Sequence, residues 1–177
     1  MCRLFAVVMW SLMPLLMTTM YTSSALAQSA YKFGAEDESA IRKLVATNEA
    51  GWNSHDMKAL GSIFHDDAEF INVVGMHWRG KDAIVKAHAA YHETIFKDCK
   101  LHSDELSIRP IGPNHAIGVW VQTQDTFTTP DGSLVPKHQN RMTLVFSKDS
   151  KAGWQVVQGQ NTRIDAQAAR FDPVNKN

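Results

Sequence analysis

The sequence predicts an α+β domain in which helices come first and a curved, mostly antiparallel sheet follows. Three observations carry that prediction. Apolar residues recur at helical spacing between residues 36 and 97, the period changes to alternation after residue 100, and turn residues then divide the chain into four strand-length runs. Helices segregated from strands along the chain pack on one side of a sheet rather than alternating across both faces. Wrapped around its helices, such a sheet leaves a cone with a pocket at the wide end.

The first 27 residues have the character of a secretory signal peptide. Arg3 is the sole early charge, residues 4–17 are apolar except for Ser11 and Pro14, and Ala25-Leu26-Ala27 has the small-x-small form of a cleavage site. The unbroken apolar stretch is shorter than the ~20 residues a bilayer span needs. Cleavage there puts the mature start at Gln28, leaves about 150 residues for one domain, and implies a periplasmic or secreted protein with no membrane attachment. Cys2 leaves with this segment, so Cys99 has no partner for a disulfide and reads as a buried, inert thiol.

Residues 28–35 read as a loose leader. From Glu36, Ile41, Leu44, Val45, Asn48 and Trp52 fall on one stripe of a 3.6-residue period, and Glu36, Asp37 and Glu38 occupy the first turn, where the helix dipole favours acids. Asn53-Ser54-His55-Asp56 breaks that helix and caps a short second one carrying Leu60, Ile63 and Phe64. The stretch DDAEFINVVG, residues 66–75, reads as a strand. Gly80 precedes a third helix over residues 81–97, whose stripe of Ile84, His88, Tyr91 and Ile95 stays within about 40° of one line. The four runs that follow span residues 100–109, 115–127, 134–147 and 154–164. They are separated by Gly112-Pro113-Asn114, by Thr129-Pro130-Asp131-Gly132, and by a polar turn ending at Gly153. The domain thus covers residues 36–164, and residues 165–177 form a polar tail.

Eighteen basic and eighteen acidic residues cancel, and no basic tract stands out, which excludes nucleic acid and anionic membrane as partners. No Gly-x-Gly-x-x-Gly loop is present to hold a dinucleotide, and no Gly-x-Ser-x-Gly or Cys-His arrangement offers a nucleophile, so no cofactor is expected.

Ala50-Gly51-Trp52-Asn53-Ser54-His55-Asp56, Phe64-His65-Asp66-Asp67-Ala68, Asn72-Val73-Val74-Gly75 and Trp78-Arg79-Gly80 together resemble the nuclear transport factor 2-like superfamily. Within it they resemble the SnoaL-like group, the SgcJ/EcaC family. The resemblance spans roughly residues 36–164. It implies a cone-shaped, cystatin-like roll with three N-terminal helices, and a superfamily that holds ketosteroid isomerases, cyclases, dehydratases, association domains and ligand binders. In the isomerases the strand matching residues 66–75 carries an aspartate general base. Here that position is Asn72, which keeps the placement and lacks the basicity.

Candidate site residues follow. Asn72 is either a ligand hook or an amide bonded to nearby backbone. His88, set mid-stripe where leucine would be unremarkable, is either a proton-transfer group in a pocket or a satisfied core histidine. His88 and His92 are spaced to grip a metal, yet Ala89 stands where the His-Glu-x-x-His motif needs glutamate, so no metal site is expected. Residues 138–146 grade along one face from His138 and Asn140 to Met142, Leu144 and Phe146, and Ile117, Val119, Val121 and Thr123 grade likewise. Both rows suit either a cavity with a greasy floor and a polar mouth or an ordinary sheet end emerging into water. Trp120, Gln122 and Gln124, on the opposite face, are then expected at a homodimer contact. Asn161 matches a polar position that the family carries on its last strand and becomes a second ligand hook. Trp52, Phe70, Trp78 and Tyr91 are expected as walls. Two functions compete: binding of a small, largely apolar, oxygen-bearing molecule with modest acid–base chemistry, or a non-catalytic association module. Cavity volume discriminates between them.

Overall fold

The computed structural model describes residues 31–174, so the proposed signal segment lies outside the described residues. Three helices, α1 (Ala35–Ser54), α2 (Met57–Gly61) and α3 (Lys81–His92), pack on one face of a six-stranded sheet. Its strands are β1 (Phe64–Ile71), β2 (His77–Arg79), β3 (Leu101–Gly112), β4 (His115–Gln124), β7 (His138–Asp149) and β8 (Gly153–Arg163), in the order β2-β1-β8-β7-β4-β3. A separate two-stranded hairpin, β5 (Phe127–Thr128) and β6 (Leu134–Val135), leaves the sheet between β4 and β7. All neighbours are antiparallel except β1 and β8, which run parallel. The fold is the expected α+β cone.

Several element boundaries differ from expectation for local reasons. The second helix stops at Gly61, and Phe64 already belongs to β1. The 66–75 strand ends at Ile71, because Asn72–Met76 folds into a tight turn with Gly75 at φ 83°, and β2 then pairs back on β1. The third helix ends at His92 instead of Lys97, with Glu93 to Asp98 in successive turns. The run 115–127 breaks after Gln124, and the run 134–147 breaks around Pro136, which cannot donate to a ladder.

The core follows the predicted helical stripe. Ile41, Val45 and Trp52 of α1 are buried against Leu60, Ile63, Phe64 and Ile84, and Trp120, Leu144, Phe146 and Val156 close it from the sheet. Polar clamps hold the layers together. Asp37 Oδ1 accepts from Lys148 Nζ at 2.6 Å and from Trp154 Nε1 at 2.9 Å, tying the start of α1 to the far end of β7 and β8. At the other end of α1, Asn53 donates to the Leu101 carbonyl at 2.7 Å and accepts from the Leu101 amide at 2.9 Å. That reciprocal pair extends the β3 edge onto a side chain. Cys99 is buried, and its Sγ donates to the Asp125 carbonyl at 3.3 Å. Burial pushes its thiol pKa up, which keeps the sulfur protonated and unreactive.

The largest departure concerns β4. Its buried row is Ala116, Gly118, Trp120, Gln122 and Gln124, while Ile117, Val119, Val121 and Thr123 are half-exposed on the outer face. The register explains the inversion: Trp120 pairs with Met142 and Gln122 with Asn140, so the even-numbered residues of both strands share the inner face. Trp120, Gln122 and Gln124 therefore belong to the interior and not to an outer contact.

Candidate functional site

A cavity of about 470 Å3 opens between the helices and the inner sheet face, within the size range of small-molecule sites. Its helix side is aromatic. Trp52 of α1, Phe70 of β1, Trp78 of β2 and Tyr91 of α3 all line it, joined by Phe96 from the turn after α3. Phe70 and Trp78 lie nearly parallel, with ring centroids 5.9 Å apart and an 8° interplanar angle. The four predicted wall residues thus meet in one place.

His88 stands inside this wall. Its ring meets Trp78, Phe70 and Trp52 edge-on, with centroids at 5.4, 5.7 and 6.2 Å. Nδ1 lies 2.8 Å from the carbonyl of Ile84, one helical turn back. A carbonyl only accepts, so Nδ1 carries the hydrogen, and Nε2 keeps a lone pair for the cavity that His88 lines. Burial holds the imidazole pKa below its ordinary value, against the opposing pull of the Ile84 carbonyl. The residue is a neutral hydrogen-bond acceptor facing the cavity.

His92 does something different. It is buried, its ring sits 4.5 Å from that of Trp52, and its Nδ1 lies 2.8 Å from Nδ1 of His55. His88 and His92 therefore do not act as a pair, and among the described residues no three histidine, cysteine or acidic side chains converge on a metal position.

Asn72 resolves in favour of its own backbone. Its Oδ1 accepts from the amides of Val74 at 3.1 Å and Met76 at 2.8 Å, closing the turn between β1 and β2. The side chain still borders the cavity, with its amide N–H groups left over. One residue thus serves both alternatives, the structural one through oxygen and the other only through nitrogen. Asn161 of β8 lines the cavity directly. Asn140 stands one hydrogen bond behind the wall, fully buried and donating to Gln124 Oε1 at 3.1 Å.

Sequence reasoning missed Gln122 and Gln124, which line the sheet side together with Asn161. The available signal was the pattern Trp-x-Gln-x-Gln on a central strand, where buried carboxamides alternate with outward β-branched residues. It also missed Asn48, which lines the cavity while donating to the Leu60 carbonyl at 3.3 Å. The hairpin of β5 and β6 covers the rim through Phe127, Thr129, Pro130 and Val135. Phe127 meets Phe96 edge-on at 5.0 Å, so the hairpin is seated on the aromatic wall. Among the described residues, Arg163, at the exposed end of β8, is the one lining residue with a permanent charge.

Comparison with known proteins agrees with this fold. A search of curated proteins finds no match. An uncharacterised protein with a cystatin-like fold from Caulobacter vibrioides is 40% identical, over 78% of this chain and 97% of that one, with a TM-score of 0.75. A ketosteroid isomerase-like protein from Erwinia carotovora atroseptica superposes with a TM-score of 0.61 at 17% identity, over 75% and 99% of the two chains. A protein from Xanthomonas campestris described as a putative calcium/calmodulin dependent protein kinase II association domain gives 0.57 at 16%, over 72% and 87%. These last two likenesses establish the fold alone. The model of the SnoaL-like domain matches residues 41–161, the span that builds both the helical wall and the sheet side of the cavity, and the chain belongs to that family.

Proposed function

We propose that this protein is exported and binds a small, largely apolar, oxygen-bearing molecule in its cone cavity, with His88 as the group that meets the reacting or anchoring oxygen. The observation that carries this reading is the open cavity of about 470 Å3 with a neutral His88 set in its aromatic wall. A platform used only for association has no need of such a space, and filling it with leucine and phenylalanine would stabilise the fold. The chemistry available is proton transfer at His88 Nε2, as in isomerisation, cyclisation or dehydration, with Asn72 and Asn161 orienting the substrate oxygen through their amides. Asn72 itself supplies no base.

Association is a second reading, favoured by one observation. Ile117, Val119, Val121 and Val145 form a half-exposed apolar strip on the outer sheet face, suited to a second copy of the chain. It is compatible with an occupied cavity, and a homodimer joined there leaves the cone open.

Native mass spectrometry of protein purified from its own host tests the binding reading. A retained neutral molecule, lost on denaturation and absent from a His88→Leu variant, is the expected result. Only apo protein, alongside a cavity that takes up no apolar probe, would sink it. Terminal sequencing of the exported form is expected to begin at Gln28. An intact Met1 in the membrane fraction would refute export.

A further inference from the structure

Four carboxamides from three adjacent strands meet on the sheet side of the cavity. Gln122 and Gln124 come from β4, Asn140 from β7 and Asn161 from β8, with Gln122 paired to Asn140 and Asn161 to Met142 across the ladders. Gln122, Gln124 and Asn140 are 1%, 5% and 0% exposed. A single hydrogen bond joins members of the group, from Asn140 Nδ2 to Gln124 Oε1. Among the described residues, Gln122 Oε1, Asn140 Oδ1 and Asn161 Oδ1 have no partner, whereas the Gln124 amide turns its N–H toward the Cys99 sulfur. Turning both amides of the Asn140–Gln124 pair end over end preserves their bond and still leaves one donor and one acceptor outside it.

Buried polar atoms are nearly always satisfied, so three orphan acceptors in one patch call for a partner outside the protein, water in the cavity or the head of a bound ligand. Core packing does not account for them, since apolar residues here would simply continue the floor of Trp120, Met142 and Leu144. The patch is also uncharged. Among the described residues no aspartate, glutamate or lysine lines the cavity, and Arg163 lies at the exposed end of its strand. An ammonium buried against these amides would lose its hydration without gaining a counter-charge, and a carboxylate would find one only at the exposed end of β8, beside Arg163.

We propose that Gln122, Gln124 and Asn161 recognise an uncharged ligand head that both donates and accepts hydrogen bonds, a hydroxyl or an amide, while Trp52, Phe70 and Trp78 take the apolar body. This rests on the cavity being a ligand site. The ligand is thereby two-sided, polar toward the sheet and aromatic or aliphatic toward the helices.

Isothermal titration of the mature protein with four probes that share one ring system tests it: naphthamide, naphthoate, naphthylmethylammonium and methylnaphthalene. Naphthamide is expected to bind about tenfold more tightly than the other three, from two neutral hydrogen bonds gained. Gln122→Met and Asn161→Leu are each expected to erase that advantage while leaving methylnaphthalene bound as well as before. The wild-type ranking needs no substitution, so it stands even if a variant fails to fold. Tightest binding of the carboxylate or the ammonium overturns the proposal, as does an amide advantage that survives both substitutions. Equal binding of naphthamide and methylnaphthalene overturns the head-group assignment and leaves the ligand site intact. Failure of all four to bind overturns the ligand site, and this inference with it.

Discussion

Nδ1 of His55 lies 2.8 Å from Nδ1 of His92, so one hydrogen is shared between two imidazoles that join the end of α1 to the end of α3. Both nitrogens cannot carry a proton at that distance. His92 is the buried partner, and its pKa is pushed down to about 4, first by burial and then by His55, His88 and Lys100. Trp52 packs on the His92 ring and lines the cavity, so this contact couples helix packing to the site.

A pH dependence follows. The folded pKa of His92 is below the usual value of about 6.5, so the unfolded chain binds more protons in the interval between them. Stability from this group is full above pH ~6.5 and is lost as pH falls through about 4. His88, also depressed by burial, acts in the same direction. Melting temperature is expected to be flat from pH 8 to 7 and to decline below 6.5. The double variant His88→Leu with His92→Phe should flatten that decline, and an unchanged slope would contradict the assignment.

His88→Leu alone separates a site residue from a structural one. Among the described residues, His88 makes one side-chain hydrogen bond, to a carbonyl of its own helix, so leucine strands no buried partner elsewhere in them. The variant is expected to fold and to melt at or above the wild-type temperature, with a gain of up to about 1 kcal/mol from replacing an imidazole among aromatic rings. The stabilisation conferred by bound ligand should shrink. A loss of apo stability with the ligand shift unchanged would make His88 a core residue.

The helical half of this site was legible because its period was. Trp52, His88 and Tyr91 lie on stripes whose inward face is set by 3.6 residues per turn, and Phe70 and Trp78 stand beside motif residues of a recognisable family. The sheet half was not. Alternation along β4 states that Trp120, Gln122 and Gln124 share a face, but not which face. The apolar row of Ile117, Val119 and Val121 was the natural choice for the interior. Only the pairing of Gln122 with Asn140 decides it, and that register depends on the length of the β5–β6 excursion between the strands. The parallel contact of β1 with β8 was equally hidden, because it joins segments from opposite ends of the domain with a register shift between Phe64 and Glu69.

Asn72 carries a prediction about the turn it closes. Asn72→Ala removes the acceptor for two backbone amides and should lower stability by about 1 kcal/mol. Asn72→Asp keeps both hydrogen bonds and should melt near wild type. It restores the carboxylate found in isomerases, yet the two N–H donors would stabilise its charged form and make it a poor base. Activity on a β,γ-unsaturated ketosteroid is therefore expected at background for wild type and Asn72→Asp alike. Turnover by the wild type would mean that another residue supplies the base.

The size of the cavity depends on a residue outside it. A Cβ added to Gly159 of β8 would lie 2.6 Å from Phe70 Cδ2, 2.9 Å from Phe70 Cε2 and 3.3 Å from Leu144 Cδ2. Phe70 can lie flat across β8 only because that position has no side chain. Gly159→Ala therefore displaces the Phe70 ring, and its stacked partner Trp78 and the His88 ring edge stand in the way on the other side. Overpacking of this kind costs roughly 1–3 kcal/mol. The ring has one soft direction, into the cavity, so the variant should both melt lower and bind an apolar probe such as methylnaphthalene more weakly. Calorimetry and thermal melts on the same preparation check both effects. Reduced stability with undiminished probe affinity would mean that the ring moves elsewhere, and that Phe70 shapes the core without shaping the site.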